Sequence, residues 1–201
     1  MSSLPIKEFH MCMMGASNVG KTSLCERLHG KVFTRKPSKP SLEEEASKYS
    51  IQMHTSLGLL LFHLYDWAWE VKRRDGNINQ QLMRGSDGAI FVYDVTDKGT
   101  LRYFGEYLDW YQRASGSLLF LLSFFNMKYI FSLFACNSSS NIGELGFDKP
   151  WLIIANKNDT KKKVVQDSEG QAVVKAGDRR QFAAISLVDD TGIDDLGPDC
   201  S

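Results

Sequence analysis

Short apolar runs punctuate the chain at residues 9–14, 59–65, 89–94, 151–155 and 182–187. Each is nearly continuous in its hydrophobicity, as strands buried on both faces of a sheet are. Helical or loop segments separate them. Residues 22–28 are compatible with a helix. Across residues 100–114, the aromatic and apolar side chains Tyr103, Phe104, Tyr107, Leu108, Trp110 and Tyr111 recur at helical spacing, which predicts a core-facing stripe. The alternation predicts an α/β fold with a central, mostly parallel, doubly wound sheet and helices on both faces.

Residues 117–146 break the alternation. Residues 118–136 read LLFLLSFFNMKYIFSLFAC, and a polar, turn-like stretch follows. A membrane-crossing helix needs about 20 apolar residues, but Asn126, Lys128 and Tyr129 sit at the centre of this run. A single crossing would also leave the two halves of one sheet on opposite sides of the bilayer. A membrane-surface or partner-binding hairpin would expose a large apolar patch and lacks the cationic face of an interfacial helix. A third reading is a segment foreign to the fold, such as a retained intron read in frame. The expected organisation is one domain over residues 8–196, interrupted by 117–146, with short tails at 1–7 and 197–201.

Charge narrows the partners. The 201 residues carry 24 basic and 24 acidic side chains, so no overall field favours nucleic acid or an anionic membrane. The run Lys161, Lys162 and Lys163 reads as a solvated loop. Cys12, Cys25, Cys136 and Cys200 form no close pair and read as reduced thiols of a cytoplasmic protein, with the nucleus open as well. His10, His29, His54 and His63 are scattered without metal-ligand spacing. Residues 1–7 lack the apolar core of a signal peptide.

Residues 15–23 read GASNVGKTS, matching the phosphate-loop pattern G-x-x-x-x-G-K-[ST] between an apolar strand and a helix. Gly15 and Gly20 permit backbone angles that turn consecutive N–H groups toward phosphate oxygens. The helix beginning near Lys21 adds its positive end. Lys21 reaches the β- and γ-phosphates, and the Thr22 hydroxyl is a ligand for Mg²⁺. The expected phosphate-binding set is Gly15, Ser17, Asn18, Val19, Gly20, Lys21, Thr22 and Ser23.

Residues 151–159 read WLIIANKND, an apolar strand running into an N-K-x-D tetrapeptide. The Asp159 carboxylate can accept from N1–H and the 2-amino group of guanine. Adenine lacks that donor pair and would leave the carboxylate unpaired. The Lys157 stem can lie along the base plane.

These motifs, with AIFVYDVT at residues 89–96 and a weaker ISL at 185–187, resemble the Ras superfamily of small GTPases, in flavour the Rab and Ran branches. The resemblance covers residues 8–115 and 147–196. It implies a P-loop NTPase G domain with GTP or GDP and Mg²⁺ at the C-terminal strand ends. It places Asn156, Lys157, Asp159, Ser186 and Leu187 at guanine, the last through its backbone N–H. Thr22, Ser41 and Asp66 fall at the metal positions, Asp66 through water.

The second switch departs from the family pattern. Trp69 stands where the family has the Gly whose N–H meets the γ-phosphate. Glu70 stands where it has the Gln that orients the attacking water. A carboxylate at Glu70 can act as a base, but it adds negative charge beside the triphosphate. Slow hydrolysis is one expectation; a scaffold that holds nucleotide without cycling is the other. The family's final amphipathic helix is expected to be missing after Leu196, the chain being either truncated or covering that flank of the sheet with the inserted segment. The resemblance further implies protein effectors and exchange or activating regulators. No nucleic acid, no transmembrane anchor and no prenylation signal are expected, since Cys200 does not fit the C-a-a-X pattern.

Overall fold

In a computed structural model, the described residues are 7–34, 47–55, 58–66, 76–115, 149–174 and 180–193. Their strands are β1 (Lys7–Met14), β2 (Ser47–Thr55), β3 (Gly58–Asp66), β4 (Gly88–Asp94), β5 (Trp151–Asn156) and β6 (Arg180–Ala184). They form one six-stranded sheet in the order β2-β3-β1-β4-β5-β6. Every neighbouring pair is parallel except β2 with β3. The chain leaves β1 between β3 and β4, so the sheet's carboxyl edge opens a crevice there. Open α/β sheets bind ligands at such a switch point.

Among the described residues five helices join the strands: α1 (Lys21–Leu28), α2 (Gly76–Gly85), α3 (Lys98–Arg102), α4 (Phe104–Ser115) and α5 (Asp167–Ala172). The pleat divides the core into two layers. Phe9, Met11 and Met13 of β1, with Val92 and Ile154, pack with Leu24 and Cys25 of α1. Cys12 and Met14, with Phe91 and Ile153, pack with Met83 of α2 and with Phe104, Tyr107 and Tyr111 of α4. Trp151 anchors the second layer. Phe104 and Tyr111 meet its ring edge-on at 5.6 and 5.0 Å. Such contacts are worth about 0.5–1.5 kcal/mol each beyond area burial. The Lys149 ammonium closes the end of α2 by donating to the carbonyls of Met83, Arg84 and Ser86 at 3.1, 3.0 and 2.6 Å. A cation suits that negative end of a helix.

The mostly parallel sheet with helices on both faces is the expected one, and all five expected strands are present. Several details differ. β2 was not expected. The stripe expected over residues 100–114 lies on α4 from Phe104 onward, with Phe104, Tyr107 and Tyr111 buried, while Tyr103 precedes the helix and is 47% exposed. The apolar run at 182–187 is strand only to Ala184, where β6 ends, and Ile185–Leu187 follow it as a buried loop. The insertion at 117–146 and the end of the chain after residue 193 lie outside the described residues, as do the tail residues 1–6. Among the described residues no helix is long and apolar enough to cross a membrane.

Candidate nucleotide site

β1 delivers Gly15 to the crevice, and the loop to Gly20 turns back into α1. Two of its positions require glycine. Gly15 has φ +134°, and a Cβ there would stand 2.1 Å from the Val92 carbonyl oxygen. Gly20 caps α1 at φ +103°, where a Cβ would stand 2.3 Å from Asn156 Nδ2. Asn18 also takes a positive φ, 62°. α1 has no acidic residue in its own first turn, so no carboxylate of the helix itself offsets its positive end.

Lys21 is buried, and its Nζ donates to the Gly15 and Ala16 carbonyls at 2.9 and 2.8 Å. The ammonium is thereby held inside the loop's own curl. The Thr22 hydroxyl donates to Asp66 Oδ2. This contact joins the first residues of α1 to the last residue of β3. Burial pushes the Asp66 carboxyl up, while Thr22 and Lys21 pull it down; the net displacement is upward. Ser23 is buried beside them, and Ser17 and Asn18 are exposed at the mouth.

The second half of the site hangs from β5. Asn156 Nδ2 donates to the Val19 carbonyl at 2.8 Å, across the base of the phosphate loop. Lys157, at φ 65°, sends Nζ over the loop to Asn18 O at 3.0 Å and to Asp94 Oδ2 at 2.5 Å. Asp159 is exposed, and its Oδ1 accepts from Ser186 Oγ at 2.8 Å. Ser186 is itself fully buried and also accepts from the Val188 backbone N–H at 3.2 Å. Leu187 is buried, with its Cδ1 3.6 Å from where a Gly20 Cβ would lie. Asn156 Oδ1 and Asn158 Oδ1 are buried with no hydrogen-bond partner.

Asp94, in the run AIFVYDVT at residues 89–96, is a site residue that the motifs alone do not single out. It ends β4 in register with Asn156, and accepts from both the N–H and the hydroxyl of Thr96 as well as from Lys157. Burial works to raise its pKa, but the hydrogen bonds from Lys157 and Thr96 outweigh it and hold the carboxyl below its usual range. A second missed contact is the two-pronged pair of Arg27 with Asp190, at 2.7 and 2.8 Å, which ties α1 to the loop after Ser186. The switch positions Ser41, Trp69 and Glu70 lie outside the described residues.

The residues present fit a nucleotide with Mg²⁺. Gly15 and Gly20 leave the loop without side chains where the backbone must curl, and a buried ammonium sits within it. A hydroxyl and a carboxylate converge beside it, and oxygen donors of this kind suit a hard cation. The fold and this site define a Ras-like GTP-binding domain. Residues 10–122, over half of the chain, match the family described as Ras of Complex, Roc, domain of DAPkinase. The chain belongs to this family, within the Ras superfamily of small GTPases. It is similar to the Ras-related protein Rab-44 of Mus musculus, 28% identical over 107 residues, which are 53% of this chain and 10% of that protein. It is 27% identical to human Rab-44 over 115 residues, 57% of this chain and 11% of that protein. The chain therefore spans about a tenth of the length of these relatives. The family match stops short of Asn156–Asp159 and Ser186, so the roles of those residues rest on chemistry and position.

Proposed function

We propose that this chain is a guanine-nucleotide switch that binds GTP and GDP with Mg²⁺, hydrolyses GTP slowly and engages a protein effector in its GTP-bound form. The observation that carries the reading is the meeting of the two motifs: Asn156 and Lys157 bond to the carbonyls of Val19 and Asn18 in the phosphate loop. A base bound by the N-K-x-D turn then sets its phosphates over residues 15–23.

In this reading the backbone N–H groups of residues 15–20 and the start of α1 receive the phosphates. Lys21 gives up its carbonyl partners in part to meet the β- and γ-phosphates. Thr22 and Ser41 would hold the metal directly, and Asp66 would hold it through water. The ion, when bound, neutralises charge on the β- and γ-phosphate oxygens. Asp159 selects guanine, with Ser186 fixing the carboxylate and the Leu187 N–H directed at the base. Hydrolysis adds water to the γ-phosphorus and releases GDP and phosphate. Glu70 stands where that water would be oriented, and Trp69 where a glycine N–H would meet the γ-phosphate, which is the reason to expect a low rate. The domain runs over 8–196 with 117–146 as an insertion. It acts in the cytoplasm or nucleus with exchange and activating regulators.

Fluorescent GDP with Mg²⁺, chased by unlabelled GTP and then ATP, tests the reading. Displacement by GTP and not by ATP supports it. Asp159→Ala should then lose the preference for GTP while retaining triphosphate binding. Absence of binding by folded protein would sink it.

The second reading, a scaffold that holds nucleotide without cycling, is favoured by the replacements at Trp69 and Glu70. Single-turnover hydrolysis separates the two. A rate equal to that of free GTP selects the scaffold. A rate above it that rises in Trp69→Gly/Glu70→Gln selects the slow enzyme.

A further inference from the structure

Away from the nucleotide crevice, β1 and β3 bring two histidines and a glutamate together. The parallel register sets His10 opposite His63, with Glu8 one pleat earlier on the same face. Their nearest ligand atoms all lie within 4.8 Å of one another. The two imidazole centroids are 5.0 Å apart. His63 Nε2 already stands 3.2 Å from Glu8 Oε2. The two histidines are scattered in sequence but not in the fold: sheet pairing supplies the proximity that local spacing lacks.

The outer contacts are also those of a ligand set. His10 Nδ1 lies 2.8 Å from the Tyr65 hydroxyl, and His63 Nδ1 lies 2.9 Å from Ser50 Oγ on β2. Each imidazole is thus oriented through one nitrogen, leaving Nε2 for a metal. This is how metal-bound histidines are commonly held. His63 is buried, its side chain 7% exposed, while the Glu8 side chain is 57% exposed and gives access from solvent.

The geometry points to a divalent transition-metal site, with Zn²⁺ its natural occupant, formed by Glu8, His10 and His63 on the sheet face that carries α2. Two imidazoles and one carboxylate favour zinc or its neighbours over Mg²⁺ or Ca²⁺, which take oxygen ligands. Zinc bonds of about 2.0–2.1 Å place tetrahedral ligands roughly 3.4 Å apart. Rotation of the partly exposed Glu8 and His10 side chains closes the remaining gap. Water fills the fourth position. The ion would pin β1 to β3 upstream of Gly15 and Asp66, the residues these strands deliver to the nucleotide crevice.

The test uses the full chain loaded with GDP and Mg²⁺, so that oxygen sites are saturated. Zn²⁺ is titrated against a chromophoric chelator, and Co²⁺ is followed by its visible spectrum. The expected result is one Zn²⁺ per chain, a tetrahedral Co²⁺ spectrum without a thiolate charge-transfer band, and a rise in Tm on adding Zn²⁺. Glu8→Gln and His10→Asn should each weaken binding at least about tenfold, and Ser50→Ala about 10- to 100-fold as an orienting residue. Glu8→Gln changes an exposed side chain, so its folded state is secure even if a histidine variant unfolds. No Zn²⁺ binding by the wild type, a thiolate charge-transfer band, or undiminished binding by Glu8→Gln would overturn the site.

Discussion

Asn156 Nδ2 donates to the Val19 carbonyl at 2.8 Å, so the end of β5 holds the phosphate loop by one buried hydrogen bond. Gly20 makes the approach possible, since a side chain there would occupy the amide's place. The two motifs are far apart in sequence and mechanically continuous in the fold. Whatever binds at one must be felt at the other.

Asn156→Ala should therefore loosen nucleotide by releasing the phosphate loop from β5. The Val19 carbonyl would be left buried and unpaired, a cost of about 1–3 kcal/mol. If that cost falls on the bound state, GDP release accelerates roughly 5- to 150-fold, at 1.4 kcal/mol per factor of ten. Stopped-flow release of fluorescent GDP measures it. An unchanged off-rate would mean that the loop holds its shape without β5.

Two glycines with positive φ make a controlled pair. Gly15 and Gly30 have φ +134° and +88°, but a Cβ on Gly15 meets the Val92 oxygen at 2.1 Å, whereas one on Gly30 meets nothing within 4 Å. Gly30→Ala pays backbone strain alone, about 1–2 kcal/mol, and should retain GDP. Gly15→Ala must move β4 or the loop, and should lose GDP binding altogether. Binding isotherms with thermal melts on both proteins decide the matter. Equal GDP affinity in the two would remove the close approach as the reason for Gly15.

The strands beside the nucleotide were legible because buried parallel strands are continuous apolar runs that stop at a chemically distinctive residue: Met14 before Gly15, Ala155 before Asn156. β2 was passed over because it is an edge strand of different texture. Its exposed Lys48, Ser50 and Gln52 alternate with Tyr49, Ile51 and Met53, and period-two alternation was the available signal. The helix expected over residues 100–114 begins only at Phe104, for a local reason. Asp97 caps a separate short helix by accepting from the Gly99 N–H at 2.8 Å, and the chain turns again at Tyr103. Asp94, the Arg27–Asp190 pair and the histidine cluster were not legible, because each depends on strand register or loop return rather than on local spacing.

Asp94 gives the protein an acid-sensitive joint. Its carboxyl is held below the ordinary value of 3.8 by Lys157 and Thr96. The unfolded chain then binds more protons than the folded chain in that range, so stability rises with pH. The contribution is fully present above about 3.8 and is lost as pH falls through the lower folded value. Asp94→Asn should cost about 1–3 kcal/mol at neutral pH, toward the low end because the Lys157 side chain remains 41% exposed. The gap between wild type and variant should close below pH 3.8. Urea unfolding at neutral and acid pH measures both. A gap independent of pH would show that the Asp94 charge contributes nothing.

Tyr93 predicts an effect of the opposite sign. Its ring is wholly buried between β4 and the helices of the second layer, and its hydroxyl has no hydrogen-bond partner. Burial, with the Asp167 and Glu169 charges behind it, pushes the phenol's pKa far up, so it is a neutral and unsatisfied group at every working pH. An unpaired buried hydroxyl costs about 1–3 kcal/mol of desolvation. Gly170 packs against that oxygen so closely that a Cβ would stand 2.2 Å from it. Tyr93→Phe keeps the ring and removes the oxygen, so it should leave stability unchanged or raise it by up to about 2 kcal/mol, less whatever the small void beside Gly170 costs. GDP affinity should not move, because the nearest site residue, Asp94, points its carboxylate to Lys157 and Thr96. Paired urea titrations and GDP isotherms check both statements. A loss of stability beyond the cost of that void would mean that the hydroxyl has a partner in solution.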